Sequence, residues 1–205
     1  MAKPYTKSYD LPDEEADGIV DGGSGASLTL LSTSAGDGLA HRLNFTSAQN
    51  ISDHTFTVVG TDADGAAQTE VVTGPNATTV ESDKYFATWT SITPNATLAS
   101  DEVDIGWVDE VMTPTYPVNW RASEVSVNVA VTGTINYTLR QTFDPLQQNS
   151  SAQNLNWTNC TDTDLVTATA SQITSYDKPV TAVQIITASY GSGAEFRWDI
   201  LQADK

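Results

Sequence analysis

No stretch of this 205-residue chain repeats its apolar residues every 3.6 positions over three turns. From Ala26 onward it shows short runs of β-formers separated by turn residues at intervals of about 8 to 12, the spacing of a sandwich or barrel. The runs are ASLTLLS (26–32), LAHRLNFTS (39–47), HTFTVVGT (54–61), QTEVVTG (68–74), FATWTSI (86–92) and EVDIGWV (102–108). Thr, Ser, Asn and Val are prominent and Lys and Glu sparse, which is strand and turn material. The pattern predicts an all-β protein, with helix only as short turns, as within DPLQQNSSAQ (144–153).

Residues 1–25 read as an extended acidic N-terminal arm. They hold few apolar residues, the acids Asp10, Asp13, Glu14, Glu15, Asp17 and Asp21, and a closing DGGSG, too little to fold alone. Such an arm is expected to order only on a partner. In VMTPTYPVN (111–119), Pro114 and Pro117 break ladders and suit a connector. The division is therefore an arm (1–25), an N-terminal β domain (26–112) and a C-terminal β domain (113–205), two antiparallel sandwich- or barrel-like modules. The second module opens with Val125, Val127, Val129 and Val131 alternating with Glu124, Ser126, Asn128 and Ala130, a half-buried strand. A three-residue loop, Thr132–Thr134, predicts a hairpin pairing Val131 with Ile135, Val129 with Tyr137 and Val127 with Leu139. AEFRWDILQ (194–202) alternates in the same way and is expected to pair with PVTAVQIIT (179–187) across ASYGSG.

With 26 acidic and 9 basic residues the chain carries a net charge of −17, which repels nucleic-acid phosphates. The same acidity serves solubility at high local concentration. Cys160 is the only cysteine, so no intrachain disulfide can form, and no basic neighbour activates it. MAKPYTKSYDLPDEE has no apolar core of the signal-peptide kind and no run is long enough for a helical membrane span, so synthesis in a cytosol is expected, with no membrane partner. The Asn-x-Ser/Thr sequons are then a by-product of Asn/Thr-rich β-structure.

The run Asp62-Ala63-Asp64-Gly65 could be a calcium loop or a corner. With Gly65 at the sixth position of an EF-hand loop, positions 1 and 12 fall on Gly60 and Val71, which cannot ligate. The favoured reading is a type I turn, in which Asp62 accepts local backbone hydrogen bonds and Gly65 takes the left-handed conformation of a bulged hairpin. Asp101, Glu102, Asp104, Asp109 and Glu110 offer paired carboxylates for a hydrolase. In a strand, however, Glu102 and Asp104 share a face with Gly106 opposite Val103, Ile105 and Trp107, which reads as a solvated face. His41 and His54 accompany no nucleophile elbow, and no phosphate-binding loop or Cys/His cluster is present in the sequence, so neither enzyme activity nor a metal or other cofactor is expected. Trp89, Trp107 and Trp198 lie in candidate strands and suit the core. The interface candidates are Tyr5, Tyr9, Leu11, Tyr116, Trp120 and Trp157, since aromatics anchor protein contacts.

The stretch from Phe56 to Trp107 resembles a segment of virion structural proteins of tailed bacteriophages, in which a Gly-Thr-Asp-x-x-Gly hairpin precedes a Thr-Gly-Pro turn, a Lys-Tyr-Phe strand and a Ser-Ile strand. The matching residues are Gly60, Thr61, Asp62, Gly65, Thr73, Gly74, Pro75, Lys84, Tyr85, Phe86, Ser91 and Ile92. VTGTINYTLRQTFDP and KPVTAVQIITASYGSGAEFRWDILQ are similar to the closing β-module of such proteins. The resemblance implies a scaffold without catalytic residues, most like a capsid decoration or cement protein. Its implied partners are the major capsid protein and further copies of itself, a trimer being favoured, and its implied place is the capsid exterior after synthesis in the host cytoplasm. A tail-tube or head-to-tail connector subunit, a carbohydrate- or receptor-binding module and a hydrolase are the competing readings.

Overall fold

A computed structural model describes residues 4–119, 124–146, 155–176 and 180–203. Among them the regular structure is antiparallel strand, apart from a one-turn 3-10 helix at Thr163–Leu165 whose first turn is capped by Asp162. The chain is all-β, and it divides into two compact units. Glu14–Val111 form the N-terminal unit; Met1–Asp13 and Met112–Lys205 form the C-terminal unit.

In the N-terminal unit one sheet has the order β2 (Glu15–Gly23), β8 (Val103–Met112), β3 (Ala40–Thr46), β6 (Thr79–Phe86). The other has β4 (Thr55–Thr61) between β5 (Ala67–Thr73) and β7 (Thr88–Pro94). β4 and β5 alternate as half-buried strands should, whereas β3 and β8 bury side chains on both faces. Phe56 and Val58 of β4, Val72 of β5 and Trp89 and Ile92 of β7 join Leu43, Phe45, Phe86, Val103, Ile105 and Trp107 in one core. Side chains tie the sheets along one edge: Glu70 of β5 accepts from the backbone N–H groups of Asp83 and Lys84 in β6 (2.7 and 3.0 Å), and Gln68 donates to the Tyr85 carbonyl. ASLTLLS is not a strand. Leu28 is buried there while Leu31 is exposed, and the segment is held to β2 by Leu31 N–H on the Ile19 carbonyl and Ser32 Oγ on the Gly18 carbonyl, both 2.8 Å.

The expected arm is instead built into the chain's own sheets. β1 (Tyr5–Asp10) pairs with β15 (Glu195–Ala203) in the C-terminal unit, Tyr9 opposite Phe196. β2 lies on β8 through Glu15↔Trp107, Val20↔Ile105 and Gly23↔Val103, with irregular register between them. The arm's few apolar residues suffice because they enter cores made by other strands: Tyr9, Leu11, Ile19 and Val20 are all buried.

The C-terminal unit has one sheet in the order β1, β15, β10 (Glu124–Thr132), β13 (Gln172–Tyr176). A second has β12 (Thr158–Asn159), β11 (Ile135–Thr142), β14 (Ala182–Tyr190). The connector supplies β9 (Tyr116–Pro117), an edge pairing on β14 where proline's missing N–H is tolerated. Val125, Val127 and Val129 are buried as their alternation predicts. The pairing differs from expectation. β10 pairs with β15 and β13, and β11 with β14 and β12, so neither Val129–Tyr137 nor its neighbours are ladder pairs. Likewise β14 and β15 lie in different sheets. Both connections are arches that carry the chain from one layer to the other. Gly133, at φ +79°, makes the first corner, and the Gly191 N–H donates to the Thr134 carbonyl (2.9 Å), joining the two corners.

Candidate interaction surfaces

The Asp62 corner forms as its residue types dictate. Asp62 Oδ1 accepts from the N–H groups of Asp64 (3.0 Å) and Ala66 (2.8 Å), the Gly65 N–H donates to the Asp62 carbonyl (3.0 Å), and Gly65 sits at φ +79°. Asp62 itself is buried and joins β4 to β5, so the turn reading holds. Among the described residues no group of three or more His, Cys, Asp or Glu side chains is placed to hold a metal ion.

Asp104 and Glu110 are engaged structurally. Of the face expected to be solvated, Glu102 is exposed, but Asp104 and Gly106 seat β2: Asp104 Oδ1 accepts from the Gly22 N–H at 2.7 Å, and a Cβ on Gly106 would overlap the Glu15 carbonyl. Glu110 accepts from Arg42 Nη1 (3.1 Å) and from the Tyr85 hydroxyl (3.2 Å), and Arg42 also pairs with Glu81 (3.0 Å). Burial would lower the Arg42 pKa, yet Glu110, Glu81 and Tyr85 hold it above its ordinary value. His41 is buried with Nε2 3.1 Å from Asp37 Oδ2, in ring contact with Trp107.

The aromatic interface candidates fall in different places. Tyr9 and Leu11 are buried within their own unit, Tyr9 against Phe196 (centroids 5.1 Å). Tyr5 and Tyr116 are half-buried, 4.2 Å apart, and both meet the buried Trp198 edge-on at about 6 Å. Burial, with the adjacent Tyr5, pushes the Tyr116 phenol above its usual range against a hydrogen bond with Gln202. Trp157 is half-buried with the Arg140 guanidinium 5.7 Å over its ring. Trp120 lies outside the described residues. Trp89, Trp107 and Trp198 are core residues, as their strand positions predicted.

Charge is divided unevenly. The N-terminal unit holds 16 acidic residues against 2 basic, a net −14; the remainder holds 10 against 7, a net −3. Within so acidic a unit, the outward side chains of β5-β4-β7 carry no charge, and the charge at the β5 edge is the Lys84 ammonium on the Thr69 carbonyl (2.7 Å). Thr57 lies between Val71 and Thr93, and Val59 between Thr69 and Ser91. Thr55, Thr61, Ala67, Thr73, Thr88 and Thr90 complete the face, with the Thr61 and Thr88 hydroxyls 2.7 Å apart. Val71 is 60% and Val59 36% exposed. Sequence reading passed over these positions, although alternating threonine in HTFTVVGT, QTEVVTG and FATWTSI marks a face with no carboxylate. Among the described residues no helix is long and apolar enough to cross a membrane.

No family model matches the chain, and no curated protein matches it. Solved structures include a chain from infectious bursal disease virus, Gx strain, aligned over 98% of this chain and 71% of that one at 10% identity and a TM-score of 0.18. A superposition at that level supports no assignment.

Proposed function

We propose that this chain is a structural protein of a virus particle, a decoration or cement protein of a tailed-phage head that binds the outer surface and bridges coat subunits. One observation carries the reading. The candidate acids Asp62, Asp104 and Glu110 are spent inside the fold, on a turn, on Gly22, and on Arg42 and Tyr85, whereas the N-terminal unit turns an uncharged sheet face outward, a surface for contact. The likeness of residues 56–107 to phage virion segments supports the same reading. Its action is thermodynamic: a protein that binds only the assembled shell stabilises it by mass action, and copies linked to one another act at raised effective concentration. The net charge of −17 suits an exterior place, away from packaged DNA.

Heads lacking the protein test the proposal. Mixed with the purified chain, they should take it up at a fixed ratio comparable to the number of coat subunits and melt at a higher temperature. Uptake only at the copy number of a tail ring would overturn it in favour of a tail-tube or connector subunit.

A further inference from the structure

The β5-β4-β7 face is exposed, uncharged and small. Seven residues rising about 3.3 Å each on three strands about 4.8 Å apart give a face of roughly 300 Å². That is under half of the roughly 800 Å² that each partner buries in a stable complex. A basic partner would be drawn to the carboxylates of this unit, 16 acidic against 2 basic residues, and not to a face that has none. A second copy is different. A carboxylate near a twofold axis confronts its own copy, so an uncharged patch is where two such acidic units approach each other at the least electrostatic cost.

We propose that the face is such a contact: two copies pack their β5-β4-β7 sheets against each other across a twofold axis. Sheets so packed lie about 10 Å apart, and β-branched side chains fill the space between. Val59 and Val71 supply the apolar contact, and the methyls of Thr57 and Thr93 extend it without taking any charge out of water. A flat face meeting itself is twofold, so the contact pairs copies and cannot by itself close a trimer. Its small area makes the pairing weak and reversible. Added salt screens the charge of the two acidic units and strengthens it, the opposite of a contact with a basic partner. The inference does not depend on the shell reading, because pairing is measured on the free protein.

The test is sedimentation equilibrium of the full chain from about 10 μM to about 1 mM, in roughly 0.05 and 0.5 M salt, conditions that span weak association and strong screening. A monomer–dimer equilibrium is expected, tighter at high salt. Val71→Glu puts two charges into a contact that has none and should weaken it by roughly a hundredfold. Thr93→Glu, on the opposite edge strand, should act in the same direction and serves if the first variant does not fold. Ile173→Glu, at a site 68% exposed in the C-terminal unit, should leave pairing unchanged. A chain that stays monomeric at the highest concentration and salt overturns the inference. So does association that weakens with salt, that survives both glutamates, or that Ile173→Glu abolishes.

Discussion

Gly106→Ala tests how the acidic N-terminal segment is seated. Gly106 is buried in β8 between Ile105, which pairs with Val20, and Trp107, which pairs with Glu15. A Cβ there would overlap the Glu15 carbonyl oxygen and lie 2.6 Å from the Glu15 carbonyl carbon and 2.8 Å from that of Ala16, where ordinary contact begins at 3.4 Å. The neighbours are backbone, so no rotamer change relieves the clash and β2 has to withdraw by close to an ångström or more. Overpacking of this kind costs about 1–3 kcal/mol. The Gly22 N–H on Asp104 is strained at the same time, and a hydrogen bond to a charged group is worth about 1.5–3 kcal/mol. Partial loss of both gives about 3 kcal/mol, more than a hundredfold in the opening equilibrium of β2. Hydrogen exchange read by mass spectrometry, with urea unfolding followed by tryptophan fluorescence, measures it. Faster exchange should be concentrated in residues 15–23, where Ile19 and Val20 lose their cover. Unchanged stability together with unchanged exchange over 15–23 would refute the account of β2 as an integral strand.

Two pH effects follow from the C-terminal unit. Desolvation would raise the Asp199 pKa, but hydrogen bonds from Arg197, Thr6 and Asn128 hold it below the ordinary value. A folded-state pKa below the unfolded one stabilises the fold above the ordinary carboxylate value, near pH 4, and the contribution is lost as pH falls below it. Asp199→Asn should flatten the acid limb of a urea-stability profile, and an unchanged limb would count against the Thr6–Asp199–Asn128 link between β1, β15 and β10. At the alkaline end, burial raises the Tyr137 phenol to about 12 and pushes Tyr176 further up, helped by its hydrogen bond to Cys160. The unfolded chain ionises near pH 10 while these two remain neutral in the fold, so stability declines as pH rises past that value. Ultraviolet titration up to about pH 11 should show both phenols staying neutral until the chain unfolds, and Tyr137→Phe should remove one of the two delayed phenolates.

The all-β class, the inward face of β10 and the local corners were legible along the chain. Alternation in Val125–Val131 marked the buried face of β10, and the Asp62–Gly65 turn was legible because its hydrogen bonds lie within five residues. Which strand lies beside which came from long-range pairing. A hairpin and an arch place the same valines toward the same core, so the alternation of β10 and β11 could not tell ladder neighbours from facing layers; the choice rests on β15 and β14, 40 or more residues away. The N-terminal segment failed as a sequence reading for the same cause. Tyr9, Ile19 and Val20 cannot make a core alone, and what folds them is the pairing surface of β15 and β8, which composition near residue 15 does not reveal. The uncharged sheet face emerges in the same manner, since its threonines and valines are scattered over 39 positions and become one surface only when β4 is set between β5 and β7.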